Sequence, residues 1–168
     1  IEGQDSPTVS AAMQQPAIQV LSDGVTISGF SIRGVAKDTT AKFNYYIQNP
    51  AAAANAGLDN PNSAIVVMGN DVAVKNCSIF GAQVGIWAEN VRGLALRNSS
   101  LEGCDIGASI LQSREILVSG CQLADCRKYG LNVEGSFDIE IANNSIVGNS
   151  NGGILLKDSE DGAVSHNR

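Results

Sequence analysis

Histidine occurs once in this chain, at His166, and methionine only twice, at Met13 and Met68, which are far apart in sequence. A soft-metal site built from clustered imidazole and thioether ligands therefore has little to draw on. Positive charge is scarce, with eleven Lys and Arg against seventeen Asp and Glu and a net charge of −6. An acidic surface repels phosphate backbones, so nucleic acid is not an expected partner. No window of eighteen apolar residues occurs, which predicts no helical membrane span. The chain opens at Ile1 without a cleavable signal pattern, and reads as a mature product or a trimmed piece. Proline is also rare, four residues against eighteen glycines, so many turns must be carried by glycine. What remains is a composition 43% hydrophobic and 17% charged over 168 residues, enough for one folded domain with a sizeable core.

That composition is organised by a repeat. Five segments align without gaps: Val25–Gly34 (VTISGFSIRG), Val72–Gly81 (VAVKNCSIFG), Leu94–Gly103 (LALRNSSLEG), Ile116–Asp125 (ILVSGCQLAD) and Ile139–Gly148 (IEIANNSIVG). A sixth begins at Gly162 and breaks off at the end of the chain. From the second unit onward equivalent residues lie 22 or 23 apart, and a second marker keeps step in Gly85-Ile86, Gly107-Ala108, Gly130-Leu131 and Gly153-Ile154. A fixed period in this range means a solenoid. Apolar residues alternate within each unit (Val72 and Val74, Cys77 and Ile79, Ile86 and Ala88), which is the period of strands rather than helices. A leucine-rich repeat has a similar length, but its Leu-rich strand and Asn motif are missing. The pattern predicts an all-β, parallel β-helix of about six coils with three short strands each. In this reading residues 1–16 are an N-terminal lead-in, and 17–168 form a single β-helix domain interrupted by a loop insertion at 35–63.

One column marks a corner of the coil. Gly29, Asn76, Asn98, Gly120, Asn143 and His166 share a place between the second and third strands. Glycine and asparagine best tolerate left-handed dihedrals, so the column predicts a tight αL turn. Asn76, Asn98 and Asn143 also match the N-glycosylation pattern, but a corner explains the glycines as well. Alternation then sets the faces. Val72, Leu94, Ile116 and Ile139 should point inward, as should Val74, Leu96, Val118 and Ile141, and Ile79, Leu101, Leu123 and Ile146. On the first strand the outward rows are expected to be Ile65, Trp87, Ser109, Asn132 and Leu155, then Val67, Glu89, Leu111, Glu134 and Lys157. The second strand shows a plainer outward row of Ala73, Ala95, Leu117, Glu140 and Ala163.

The repeat resembles the right-handed parallel β-helix proteins of the pectin-lyase-like superfold. Its unit, Gly-Ile-x-x-x-x-Ser-x-x-Ile-x-Ile-x-Asn-Asn-x-Ile, is similar to carbohydrate-binding and sugar-hydrolase repeats. It is also similar to periplasmic copper-processing proteins of nitrous-oxide reductase assembly. The resemblance covers about residues 17–167 outside the insertion and implies fold more than function. It implies an extracellular, cell-surface or periplasmic protein that binds or processes a polysaccharide or oligosaccharide on its first-strand face. The alternative is a non-catalytic surface or periplasmic scaffold, with the copper-processing type included.

Trp87, Asn132 and Lys157 on that face are candidate sugar contacts, because aromatic faces cover apolar sugar rings while amides and charges bond hydroxyls. Covering of Trp87 by a loop or partner chain is the competing reading. Tyr45 and Tyr46 join the candidates from the insertion, since in polysaccharide-active relatives loops from this corner wall the substrate groove. The insertion could equally cap the N-terminal core. Candidate acid–base residues are Glu89 and Glu134 on the first strand, with Asp105, Asp125, Arg127 and Lys128 at the neighbouring corner. Paired acids suit a glycoside hydrolase; an acid cluster holding Ca²⁺ beside an Arg or Lys base suits a polysaccharide lyase. The Asn-Thr-Asp, Asp-Asp and Gly-His-Gly signatures of polygalacturonases are absent, as is the Asp-Pro-His of alginate epimerases, so no cofactor or metal is assigned. Solvated surface charge is the plain alternative for all six residues. Cys77 and Cys121 should pack inward two coils apart. Cys104 and Cys126, equivalent in adjacent coils, are close enough for a disulfide, with two free thiols or a copper site as the alternatives. The incomplete sixth coil predicts that further coils or a partner chain cover its open edge.

Overall fold

Short runs in which Val, Ile or Leu alternates with small or polar residues favour strands, and Gly, Asn or Asp at their ends favours a turn. A computed structural model of the chain describes residues 8–10, 16–34 and 63–168. Its strands form three parallel sheets of six, and among the described residues there is no helix. The first sheet holds β2 (Ile18–Val20), β5 (Ser63–Val67), β8 (Val84–Glu89), β11 (Ile106–Leu111), β14 (Tyr129–Glu134) and β17 (Gly152–Lys157). The second holds β3 (Thr26–Ser28), β6 (Ala73–Lys75), β9 (Arg92–Arg97), β12 (Arg114–Ser119), β15 (Phe137–Ala142) and β18 (Glu160–Ser165). The third holds β4 (Ser31–Arg33), β7 (Ser78–Phe80), β10 (Ser100–Glu102), β13 (Gln122–Ala124) and β16 (Ser145–Val147). It also takes in β1 (Thr8–Ser10), from the stretch read as a lead-in, which pairs with β4. Each complete coil thus contributes one strand to every sheet.

Register stacks like on like. Ile27, Val74, Leu96, Val118 and Ile141 pair in sequence across the second sheet, and all five are fully buried or nearly so. Ile32, Ile79, Leu101 and Leu123 do the same in the third. Each fully buried aliphatic side chain in such a column contributes about 1.5–3 kcal/mol. The row Ala73, Ala95, Leu117, Glu140 and Ala163 runs along the outside of the second sheet as expected.

The corners carry more left-handed residues than the single column found in the sequence. That column is αL throughout, from Asn98 at φ 48° to Gly29 at φ 76°. Three further columns are αL as well: Asp71, Gly93, Glu115, Asp138 and Asp161; Asn90, Gln112, Gly135 and Asp158; Gly81, Gly103, Asp125 and Gly148. Glycine enters for space as well as for φ. A Cβ on Gly120 would lie 2.4 Å from the Asn98 Oδ1 stacked one coil before it. The Gly85, Gly107, Gly130 marker has another cause, because a Cβ on Gly107 would lie 2.4 Å from the Gly130 carbonyl oxygen.

Side chains satisfy the corner amides that no strand can. Ser113 Oγ accepts from the Val91 N–H at 3.2 Å, and Ser136 Oγ from the Ser113 N–H at 3.0 Å. At another corner Asn144 Oδ1 accepts from the Cys121 N–H at 2.8 Å, and Asn167 Oδ1 from the Asn144 N–H at 2.9 Å. Asn149 does the same for the Cys126 N–H at 2.9 Å. Each coil therefore closes the corners of the one before it.

Two expectations need correction. Ile65 and Val67 pair with Ile86 and Ala88 and lie in the main core, so they point inward; Val66, paired with Trp87, takes the outward place. The insertion removes the repeat ahead of β5, and a run of five apolar-compatible residues then leaves the phase open. The outward row is also not exposed. Val66 (0%), Trp87 (4%), Ser109 (1%) and Asn132 (6%) are all buried. Trp87 packs with Val66, Val84, Ile106 and Leu111 in a second, smaller apolar cluster rather than standing into solvent.

Candidate functional site

Parallel pairing puts two outward columns of the first sheet side by side. In one, Val66, Trp87, Ser109, Asn132 and Leu155 follow each other coil by coil; in the other, Glu89, Leu111, Glu134 and Lys157. A cleft of about 190 Å³ opens over them at the corner where the first sheet turns into the second. Trp87, Ser109 and Asn132 line it from the first column, and Glu89, Leu111 and Glu134 from the second. The αL residues Gln112, Gly135 and Asp158 form its corner side.

Two polar atoms in this lining are buried without a hydrogen bond: Trp87 Nε1 and Asn132 Oδ1. The amide of Asn132 is held from its other end, where Nδ2 donates to Ser109 Oγ at 3.2 Å. Burial raises the pKa of Glu89 above its ordinary 4.5, and the nearby indole N–H of Trp87 opposes that rise only in part. Trp87 Nε1 is thus close enough to be felt by Glu89, yet it lacks the geometry of a hydrogen bond. Glu134 differs, because Lys157 in the next coil donates to its Oε1. The Lys157 ammonium, also 3.8 Å from Asp158, has its pKa raised chiefly by Glu134.

The other predicted acids and bases lie at the opposite edge of the same sheet. Asp105, just before β11, has Oδ1 2.5 Å from Arg127 Nε. This contact is an ion pair by proximity, without the alignment of a hydrogen bond, and the oxygen is otherwise unpartnered. The Lys128 N–H donates to the Asp105 carbonyl at 2.8 Å, so the corner is tied through backbone as well. Asp125 is an exposed αL residue whose Oδ1 fills the space a Cβ on Gly148 would need, 2.2 Å away. The six acid–base candidates therefore separate into Glu89 and Glu134 at the cleft, and Asp105, Asp125, Arg127 and Lys128 away from it. Among the described residues no group of three or more His, Cys, Asp or Glu is placed to hold a metal ion. Tyr45 and Tyr46, with the insertion from 35 to 62, lie outside the described residues.

The cysteines belong to the core. All four are buried and free. Burial raises the Cys104 thiol to about 12 and the Cys126 thiol to about 11. Their Sγ–H groups donate to the carbonyls of Glu102 and Ala124, each at 3.5 Å. Of the states open for this pair, the structure holds the free thiols.

The family model described as the right handed beta helix region matches residues 14–168. The chain belongs to the right-handed beta-helix family. Comparisons with curated proteins and with solved structures returned no match. Membership fixes how the coils wind but leaves the ligand open, since this fold carries function on whichever residues line its faces and loops. Within this β-helix, Gln112 and Asp158 were missed as cleft residues. The signal for them was present, because Asn90, Gln112, Gly135 and Asp158 recur at the same 22- or 23-residue step as the corner already recognised.

Proposed function

We propose that this right-handed β-helix is an extracytoplasmic module that binds a polysaccharide or oligosaccharide in the cleft along its first sheet. The observation that carries the reading is the pair of buried, unpartnered polar atoms, Trp87 Nε1–H and Asn132 Oδ1, in one cleft. A buried donor or acceptor left unmade costs about 1–3 kcal/mol. Both atoms are shut off from solvent, so a ligand that turns these side chains into the cleft and supplies the complementary groups recovers that cost on binding. Sugar hydroxyls both donate and accept, and Leu111 and the edge of the indole suit the apolar face of a ring. Trp87 acts here through its N–H more than as an open stacking platform.

The burial of Trp87 also suits the scaffold reading, in which the coils present a surface and the cleft holds only solvent. Binding of the intact chain to an array of immobilised glycans separates the two. The carbohydrate reading expects saturable binding to at least one glycan class, weakened about tenfold or more in Asn132→Ala with unchanged circular dichroism. An array that stays blank for the folded wild type leaves the scaffold.

A further inference from the structure

We infer that the cleft selects against polyuronates and takes a non-anionic glycan, preferring units that carry a free amine. The inference rests on the carbohydrate reading and concerns the charge of its ligand.

Three carboxylates line the cleft: Glu89, Glu134 and Asp158. Among the described residues one cation, Lys157, answers them, and it is committed to Glu134 and Asp158. Arg127 and Lys128, the bases expected to serve an anionic sugar, lie at the far edge of the sheet, where Arg127 pairs with Asp105. A uronate carboxylate entering here would meet like charge with no free cation among the described lining residues, and at the half-buried Glu89 the screening by water and salt is weakened.

Glu89 points to the preferred group. It is half-buried and has no ion-pair partner among the described residues, while its neighbours in the cleft are the buried Trp87 N–H and Asn132 amide. A ligand ammonium would complete an ion pair at Glu89. With those buried side chains turned into the cleft, the adjacent ring hydroxyls of the same sugar would then reach Trp87 Nε1–H as acceptor and Asn132 Oδ1 as donor. A neutral sugar makes the second set of contacts but not the first. This gives an order of affinity: amine-bearing, then neutral, then uronate.

Isothermal titration calorimetry of the intact chain with three hexasaccharides of glucosamine, glucose and galacturonic acid tests that order. The glucosamine hexamer is expected to bind about tenfold tighter than the glucose hexamer at low salt, the scale of one charge-assisted hydrogen bond, with the gap narrowing as salt is added. The galacturonate hexamer is expected to bind more weakly than glucose. Glu89→Gln should bring the glucosamine and glucose affinities to within about threefold of one another. Galacturonate binding as tight as glucose or tighter overturns the inference while leaving the carbohydrate reading intact. Equal affinities for glucosamine and glucose, or an amine preference that survives Glu89→Gln, overturn the role given to Glu89. Failure of all three hexamers together with a blank glycan array overturns the carbohydrate reading itself.

Discussion

At a corner of the coil, a residue must hold a left-handed backbone and share its space with the equivalent residue of the next coil. Asn76 and Asn98 hold the left-handed backbone, whereas Gly120 leaves room for the Asn98 side chain leaning over it. The Asn98 amide oxygen is the far end of an exposed side chain and can move aside for a Cβ, so replacements at Gly120 should rank by αL tolerance. Gly120→Asn is expected to stay within about 0.5 kcal/mol of wild type, and Gly120→Val to lose about 1–2 kcal/mol or more, by urea denaturation. Equal losses in the two would show that crowding against Asn98, not φ, sets the requirement.

Glu89 makes a second prediction at this scale. Its folded pKa is raised above 4.5 by burial, so the folded chain holds that proton more tightly than the unfolded chain does. Such a group has no effect on stability below its unfolded pKa, and becomes destabilising as pH rises through the folded value. Glu89→Gln should accordingly melt higher than wild type at neutral pH, with the difference closing as pH falls below 4.5. A variant that melts lower than wild type at neutral pH would show that the carboxylate is paired in the folded state.

At the scale of the strand and its corner, side-chain ladders carry the joints between coils. Asn144 accepts from the Cys121 N–H and donates through Nδ2 to the Val118 carbonyl at 2.9 Å, so it serves two backbone groups at once. Asn144→Leu leaves the Cys121 N–H unpaired at a cost of about 1–3 kcal/mol, a loss that a thermal or denaturant melt would register directly. A change under about 0.5 kcal/mol would mean that water or a local shift repairs the corner.

The same elements show what the sequence made legible. Strand type, sheet count and the inward columns could be read from Val74, Leu96, Val118 and Ile141, because a strict 22–23-residue step fixes phase wherever it is unbroken. Phase was lost at Ser63–Val67, where the insertion interrupts the step and Ala64, Ile65, Val66 and Val67 alternate with no polar residue among them. The cleft was half legible. Glu89, Trp87, Asn132 and Glu134 follow from the outward columns, whereas their burial and the αL corner beside them come from packing that alternation does not report.

For the whole molecule, a right-handed β-helix offers long, flat faces, and its chemistry depends on where a face is broken by a cleft or crowded by charge. Here the first sheet is divided. One edge is closed by Asp105 and Arg127, and the other opens into a cleft with acidic walls, a buried indole N–H and a buried amide oxygen. The net charge of −6 agrees in sign with that cleft. Trp87 is the only tryptophan in the chain, so its indole N–H gives a single, assigned signal at the centre of the proposed site. The most direct measurement is the ¹⁵N–¹H correlation peak of that indole during titration with the hexasaccharide that calorimetry shows to bind best. Hydrogen bonding of a sugar oxygen to Trp87 Nε1–H predicts a large, saturable shift of this peak that tracks the calorimetric affinity. A peak that does not move while the oligosaccharide saturates the protein would contradict the account and place binding elsewhere on the β-helix.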